Sequence, residues 1–224
     1  MKIINIAILL IVTLTPQFAQ AQGTTYLSNL GQTSTGSIAV GNDLWRAVLF
    51  GTGNNASGYI LNSVQLMMAD ASGNPNDFTV MLYASDSNPA GGNPGNKLST
   101  LNGSLNPTTS GIYPYTLVSS IPLLPLTEYY LVLTAGTPVA NGAFDWSLAG
   151  TFSYNSNDGW GVGNYEGSVG AVFSSSDGLS WHPNQGNLQF AITATPVPEP
   201  STWSFGFLGC GVLIYVCTRI RHTA

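Results

Sequence analysis

Apolar and polar residues alternate with a period of two through the middle of the chain. Ile60, Val64, Leu66 and Met68 alternate with Leu61, Ser63, Gln65 and Met67, which predicts a long strand rather than a helix. In L-W-R-A-V-L-F at 44–50, Trp45, Ala47 and Leu49 share one face. F-T-V-M-L-Y at 78–83 and E-Y-Y-L-V-L-T at 128–134 are dense in β-branched and aromatic residues and are expected to be central strands. Phe144, Trp146 and Leu148 form another alternating face, and Leu188, Phe190 and Ile192 form the last one.

The segments between these runs are turn sequences: Gly73-Asn74-Pro75, Asn106-Pro107, Asn157-Asp158-Gly159 and Ser176-Asp177-Gly178. Gly, Pro, Asn and Asp at this density preclude long helices. Pro122 and Pro125 mark an edge strand or a crossover. Short strands spaced by turns predict an all-β domain over 22–194, an antiparallel β-sandwich of jelly-roll type.

Both ends depart from this pattern. Met1-Lys2, an apolar run to Leu14 and the small-x-small triplet Ala19-Gln20-Ala21 predict a secretory signal peptide over 1–21, cleaved after Ala21. At the other end Pro196, Pro198 and Pro200 alternate in T-P-V-P-E-P-S-T-W, which predicts an extended, protease-accessible stalk over 195–202. An apolar segment follows, expected as a single transmembrane helix over 203–218 with a basic tail over 219–224. From Trp203 to Ile220 is 18 residues, about 27 Å of helix, close to the thickness of a hydrocarbon core. Arg219 and Arg221 place the C-terminus in the cytoplasm and the domain outside.

The order Val197-Pro198-Glu199-Pro200-Ser201-Thr202-Trp203, apolar run, arginines resembles the PEP-CTERM sorting signal of bacterial surface proteins. The resemblance implies recognition and cutting by exosortase, a membrane protease-transpeptidase, so the expected partners are exosortase, the secretion machinery and, before processing, the membrane. The body, with L-G-Q-T-S-T-G-S-I-A-V-G-N-D-L-W-R-A at 30–47, N-P-G-N-K-L at 93–98 and Y-Y-L-V-L-T-A at 129–135, is similar to the choice-of-anchor R domain. That family is defined by its sorting context, and the likeness implies no activity and no site residues.

Charge and cysteine content narrow the function further. Between the two ends the chain has two basic residues, Arg46 and Lys97, against nine acids, a net charge of −7. Such a surface repels phosphate backbones, and nucleic acid is not an expected partner. Cys210 and Cys217 both lie in the terminal apolar segment, so the exported domain can hold no disulfide, thiol nucleophile or thiolate metal site.

Candidate chemistry is sparse. His182 is the one histidine of the domain, in L-S-W-H-P, and no nucleophile elbow, zinc motif or phosphate loop accompanies it. Glu128 with Glu166, or Asp145 with Asp158, could form a carboxylate pair, yet their spacing singles out neither. No catalysis and no cofactor are expected. Asp70 and Asp77 bracket an oxygen-rich loop, A-S-G-N-P-N, a weak candidate for structural calcium without EF-hand spacing. Trp160 and Trp181 follow the two D-G turns and are the expected exposed platforms for stacking on sugar rings of an extracellular polysaccharide. The function expected is that of an exported structural or adhesive surface protein, with carbohydrate binding as the alternative.

Overall fold

The computed structural model describes residues 23–87, 92–165, 168–169 and 172–199. The expected signal peptide with Ala19 and Ala21, the motif residues Pro200, Ser201, Thr202 and Trp203, and the expected membrane helix with Arg219 and Arg221 lie outside them. Among the described residues no helix is long and apolar enough to cross a membrane, and the helical structure is one 3₁₀ turn, Val139–Asn141.

Eleven strands of four residues or more carry the fold: β1 Thr24–Ser28, β2 Ser34–Val40, β3 Trp45–Gly51, β4 Tyr59–Met68, β5 Thr79–Ser85, β6 Pro94–Gly103, β7 Gly111–Leu117, β8 Glu128–Thr134, β9 Gly142–Ala149, β10 Val172–Ser175 and β11 Phe190–Pro196. Pairing runs β1-β11-β4-β7-β6-β5-β8-β3-β10, and β9 joins β2 to the end of β4. Every pair is antiparallel. The domain is therefore all-β and sandwich-like, as its punctuation predicts, and β5 and β8 are interior strands with a partner on each side.

Inward residues of β1, β11, β4 and β9 meet those of β3, β5 and β8 in one core. Leu27, Val64, Leu66, Phe144, Trp146, Phe190 and Ile192 come from the first group, and Val48, Phe50, Val80, Leu82, Leu131 and Leu133 from the second. Phe78 and Phe144 meet edge to face at 5.0 Å where the two groups close over each other. The opposite face of β3, β5, β8 and β10 is buried as well: Ala47, Leu49, Met81, Tyr83, Tyr130, Val132 and Phe173 form a second cluster, with Trp45 and Trp181 against it. Burial on both faces is why these strands read as nearly continuous apolar runs.

β4 departs from its expected phase. Tyr59 and Leu61 are buried with Val64, Leu66 and Met68, while Ile60 is only half-buried. Thr193 pairs with Ser63 but Ala194 pairs with Leu61, so Asn62 is an extra residue that the partner strand skips. One bulge inverts the pattern on its far side. Pro122–Leu123 pairs with Tyr59 and Ile60 at the start of β4, the edge position that a residue without an N–H requires.

Candidate functional site

The expected platform residue Trp160 is not on the surface. It is 2% exposed, stacked on Tyr26 at 5.0 Å and on Phe50 at 6.2 Å, with the edge of Tyr59 at 5.0 Å. The D-G turn is present: Trp160 N–H donates to the Asn157 carbonyl at 3.0 Å, and Asp158 and Gly159 have φ of 51° and 78°. Where that turn sends the next side chain depends on the aromatic slot between β1, β3 and β4, which no local pattern announces. The exposed reading is corrected: Trp160 is core. Burial, with Asp158 and Tyr59 adding to it, holds the Tyr26 phenol above its ordinary pKa.

Trp181 is half-buried and packs on the outer cluster, following the second D-G turn. There Gly178 has φ 73°, and a Cβ on it would lie 2.7 Å from the Trp45 ring. Asp177 organises this turn: its carboxylate accepts from the backbone N–H groups of Leu179 at 2.9 Å and Ser180 at 3.0 Å. These bonds hold its pKa below the ordinary value. The two D-G-W motifs are thus caps, one on each apolar cluster.

The Asp70–Asp77 loop uses one of its two acids for backbone geometry. Asp70 Oδ1 accepts from Ser110 N–H at 2.7 Å, and Asp77 sits at φ 54°. Among the described residues no group of three or more His, Cys, Asp or Glu is placed to hold a metal ion. His182 is exposed on a short strand opposite Ser174. Asp145 is half-buried on β9 and accepts from Ser37 Oγ at 3.2 Å; desolvation raises its pKa, partly offset by that hydrogen bond. Asp158 is exposed in the Trp160 turn, Glu128 is half-buried on β8, and Glu166 lies outside the described residues.

What the register does assemble is a polar row across five strands. Thr25 pairs with Thr193, Thr193 with Ser63, Ser63 with Thr116, and Thr116 with Asn102. All five face away from the core, because their chain neighbours Tyr26, Ile192, Val64, Tyr115 and Leu101 are buried in it. At the usual strand separation the row is about 19 Å long. The Thr25 and Thr193 hydroxyls are 3.3 Å apart, and the bulged Asn62 donates to Thr195 Oγ1 at 3.0 Å on the same side. The next row has Ser28, Ala191, Gln65 and Pro114. None of β1, β11, β4 and β7 contains a charged residue, although the domain as a whole carries −7. The fifth strand, β6, adds the exposed Lys97, so the face bears hydroxyl and amide groups at strand spacing and is free of charge across β1, β11, β4 and β7. Reading the sequence strand by strand misses this row, since its members are far apart in the chain and only the register aligns them.

A second polar set is buried. Asn29 accepts from Phe190 N–H at 2.8 Å and donates to the Leu188 carbonyl at 2.9 Å and to Asn187 Oδ1 at 3.2 Å. Tyr154 donates to the same Asn187 oxygen, and Asn187 donates to the Thr151 carbonyl. Gln189 donates to the Gln32 carbonyl at 2.8 Å, and its backbone carbonyl takes the Trp146 indole N–H at 2.9 Å. This network ties the turn after β1 to the segment entering β11 and is satisfied except at Gln189 Oε1, which is buried without a partner.

Comparison of the chain with family models, with curated proteins and with solved structures returned no match.

Proposed function

We propose that this chain is an exported bacterial surface or matrix protein, delivered through its signal peptide, held by the C-terminal apolar segment and released by exosortase at the Val197-Pro198-Glu199-Pro200 stretch. Its work after delivery is structural and adhesive rather than catalytic, carried by a sandwich of jelly-roll type. The stalk expected over 195–202 begins later than that: Thr195 and Pro196 of β11 pair with β4, and Val197 is hydrogen-bonded to Gly58 and Asn55, whereas Pro198 and Glu199 are exposed and outside any strand, which supports access by a protease. Intact-mass analysis of the surface form tests it. A mature species lacking 205–224 is expected, and one that retains them refutes processing.

The observation that favours adhesion is the uncharged row Thr25, Thr193, Ser63, Thr116 and Asn102 on an otherwise acidic domain. Hydroxyls and amides can exchange hydrogen bonds with water for hydrogen bonds with sugar hydroxyls at little net cost. An acidic protein with a neutral face across β1, β11, β4 and β7 is suited to an uncharged polysaccharide and is repelled by a polyanionic one. The carbohydrate reading therefore moves from Trp160 to this face. Affinity electrophoresis through gels containing a neutral glucan tests it: retardation by the glucan is expected, with loss in the Ser63→Glu/Thr116→Glu variant. Equal mobility with and without every neutral polysaccharide tried would remove this part of the reading.

A further inference from the structure

The end of the domain from which the chain leaves toward its apolar tail is itself apolar. After β7 the chain runs V-S-S-I-P-L-L-P-L-T over 118–127, ten residues without a charge. Val118, Leu124 and Leu126 are 73%, 62% and 67% exposed. Leu126 is held out at φ 49°, in the left-handed region that branched side chains avoid, and its N–H is fixed to the Gly53 carbonyl at 2.9 Å. A strained backbone that projects a leucine into solvent points to a use for that leucine.

The neighbouring turn connects this loop to the chain exit. Thr52 Oγ1 donates to the Leu124 carbonyl at 2.6 Å, and Leu124 N–H donates to the Tyr129 hydroxyl at 2.9 Å. Gly58, at φ 76°, lies so close that a Cβ on it would be 2.4 Å from the Leu123 carbonyl oxygen. The Gly58 carbonyl takes Val197 N–H at 2.9 Å, and Asn55 Nδ2 donates to the Val197 carbonyl at 3.0 Å. One residue, Gly58, thus touches both the apolar loop and the departing strand. From Val197 to Trp203 there are six residues, a reach of at most about 21 Å even when fully extended.

We infer that, before processing, the 118–127 loop docks on the membrane, with Val118, Leu124 and Leu126 in the headgroup and acyl boundary of the phospholipid surface. The inference rests on the reading that the segment after Trp203 spans the bilayer. If it does, the tether keeps the loop within a short distance of the interface, and docking becomes an intramolecular event. The 118–127 loop and the T-G-N-N-A-S-G turn at 52–58 carry no charge, so the residues that would enter the boundary are neutral, while Glu128, Asp158 beside Gly53 and Glu199 are the acids nearest to them. The segment supplies the anchor, and the loop sets which end of the domain faces the lipid.

The test uses the chain with its C-terminal segment intact, Cys210→Ala and Cys217→Ala, in vesicles of phosphatidylethanolamine and phosphatidylglycerol. An environment-sensitive fluorophore is attached at Leu124→Cys, or at Ala140→Cys on the 3₁₀ turn at the other end of β4. Flotation with the vesicles reports the anchor, and emission reports the loop. Flotation with a blue shift at 124 and none at 140 is expected, and adding Leu126→Asp should abolish the shift without abolishing flotation. Flotation with the same emission at both positions overturns loop docking and leaves the spanning segment standing. No flotation overturns both. A shift that requires native membranes and is absent from phospholipid alone assigns the loop to a membrane protein and overturns the lipid proposal.

Discussion

Replacing Trp160 by alanine separates a core residue from a sugar platform. The ring is 2% exposed and touches Tyr26, Phe50 and Tyr59. An indole of this size buries 150–250 Å², worth about 4–6 kcal/mol at 25 cal/mol per Å², and large-to-small core changes of this kind cost about 3–5 kcal/mol. One term acts the other way. Trp160 Nε1 is buried without a hydrogen-bond partner, a condition worth about 1–3 kcal/mol, and Trp160→Phe removes that donor while keeping most of the ring. Trp160→Ala is therefore expected to lose about 3–5 kcal/mol and Trp160→Phe about 0–2 kcal/mol. Urea unfolding of the exported domain, followed by near-ultraviolet circular dichroism, measures both. With a slope near 2 kcal/mol per M, the alanine variant should unfold about 2 M earlier. An unchanged midpoint, together with loss of polysaccharide retention, would refute the buried placement and restore the platform.

Asp145 has its pKa raised by burial, so the folded state disfavours its charged form. Its contribution is fully present below the unfolded carboxylate pKa and is lost as pH rises through the folded value. Asp145→Asn should therefore raise the melting temperature relative to the parent at neutral pH and not at pH 3, with Ser37 still a partner; melting curves at both pH values check this. Leu126→Gly removes a left-handed non-glycine residue and should stabilise by about 1 kcal/mol in urea unfolding. Asn29→Ala strips partners from Phe190 N–H and the Leu188 carbonyl and should cost about 2–4 kcal/mol, read as a lower urea midpoint and faster amide exchange at Phe190.

Strand identity was readable because period and turn chemistry are local. The segments at 78–83 and 128–134, the Phe144/Trp146/Leu148 face and the closing strand with Phe190 and Ile192 are where alternation puts them. The failures are where tertiary structure decides. The Asn62 bulge reversed Ile60 and Leu61, since a skipped residue is visible only against its partner strand. Trp160 went inward because three distant aromatics left a slot for it. The Thr25-to-Asn102 row depends on four registers at once. The sequence marks Asp70 and Asp77 as oxygen donors but not that Asp70 is used on Ser110 N–H.

The strength of the loop contact decides whether docking and release are compatible. Fully buried leucine or valine is worth about 1.5–3 kcal/mol. Leu124 and Leu126 are anchored to the fold at their backbone and, like Val118 beside the end of β7, can bury only part of that surface, so about 3–4 kcal/mol in total is a reasonable ceiling. This corresponds to a dissociation constant near 1 mM or weaker. A short tether supplies an effective concentration in the same millimolar range, so the loop is substantially docked while the segment is attached and undocked once it is cut. Vesicle flotation of the domain cleaved within the stalk checks this: the cut form should stay at the bottom of the gradient at micromolar protein. Stable flotation of the cut form would mean that the loop holds the domain by itself, and cleavage would then not release it.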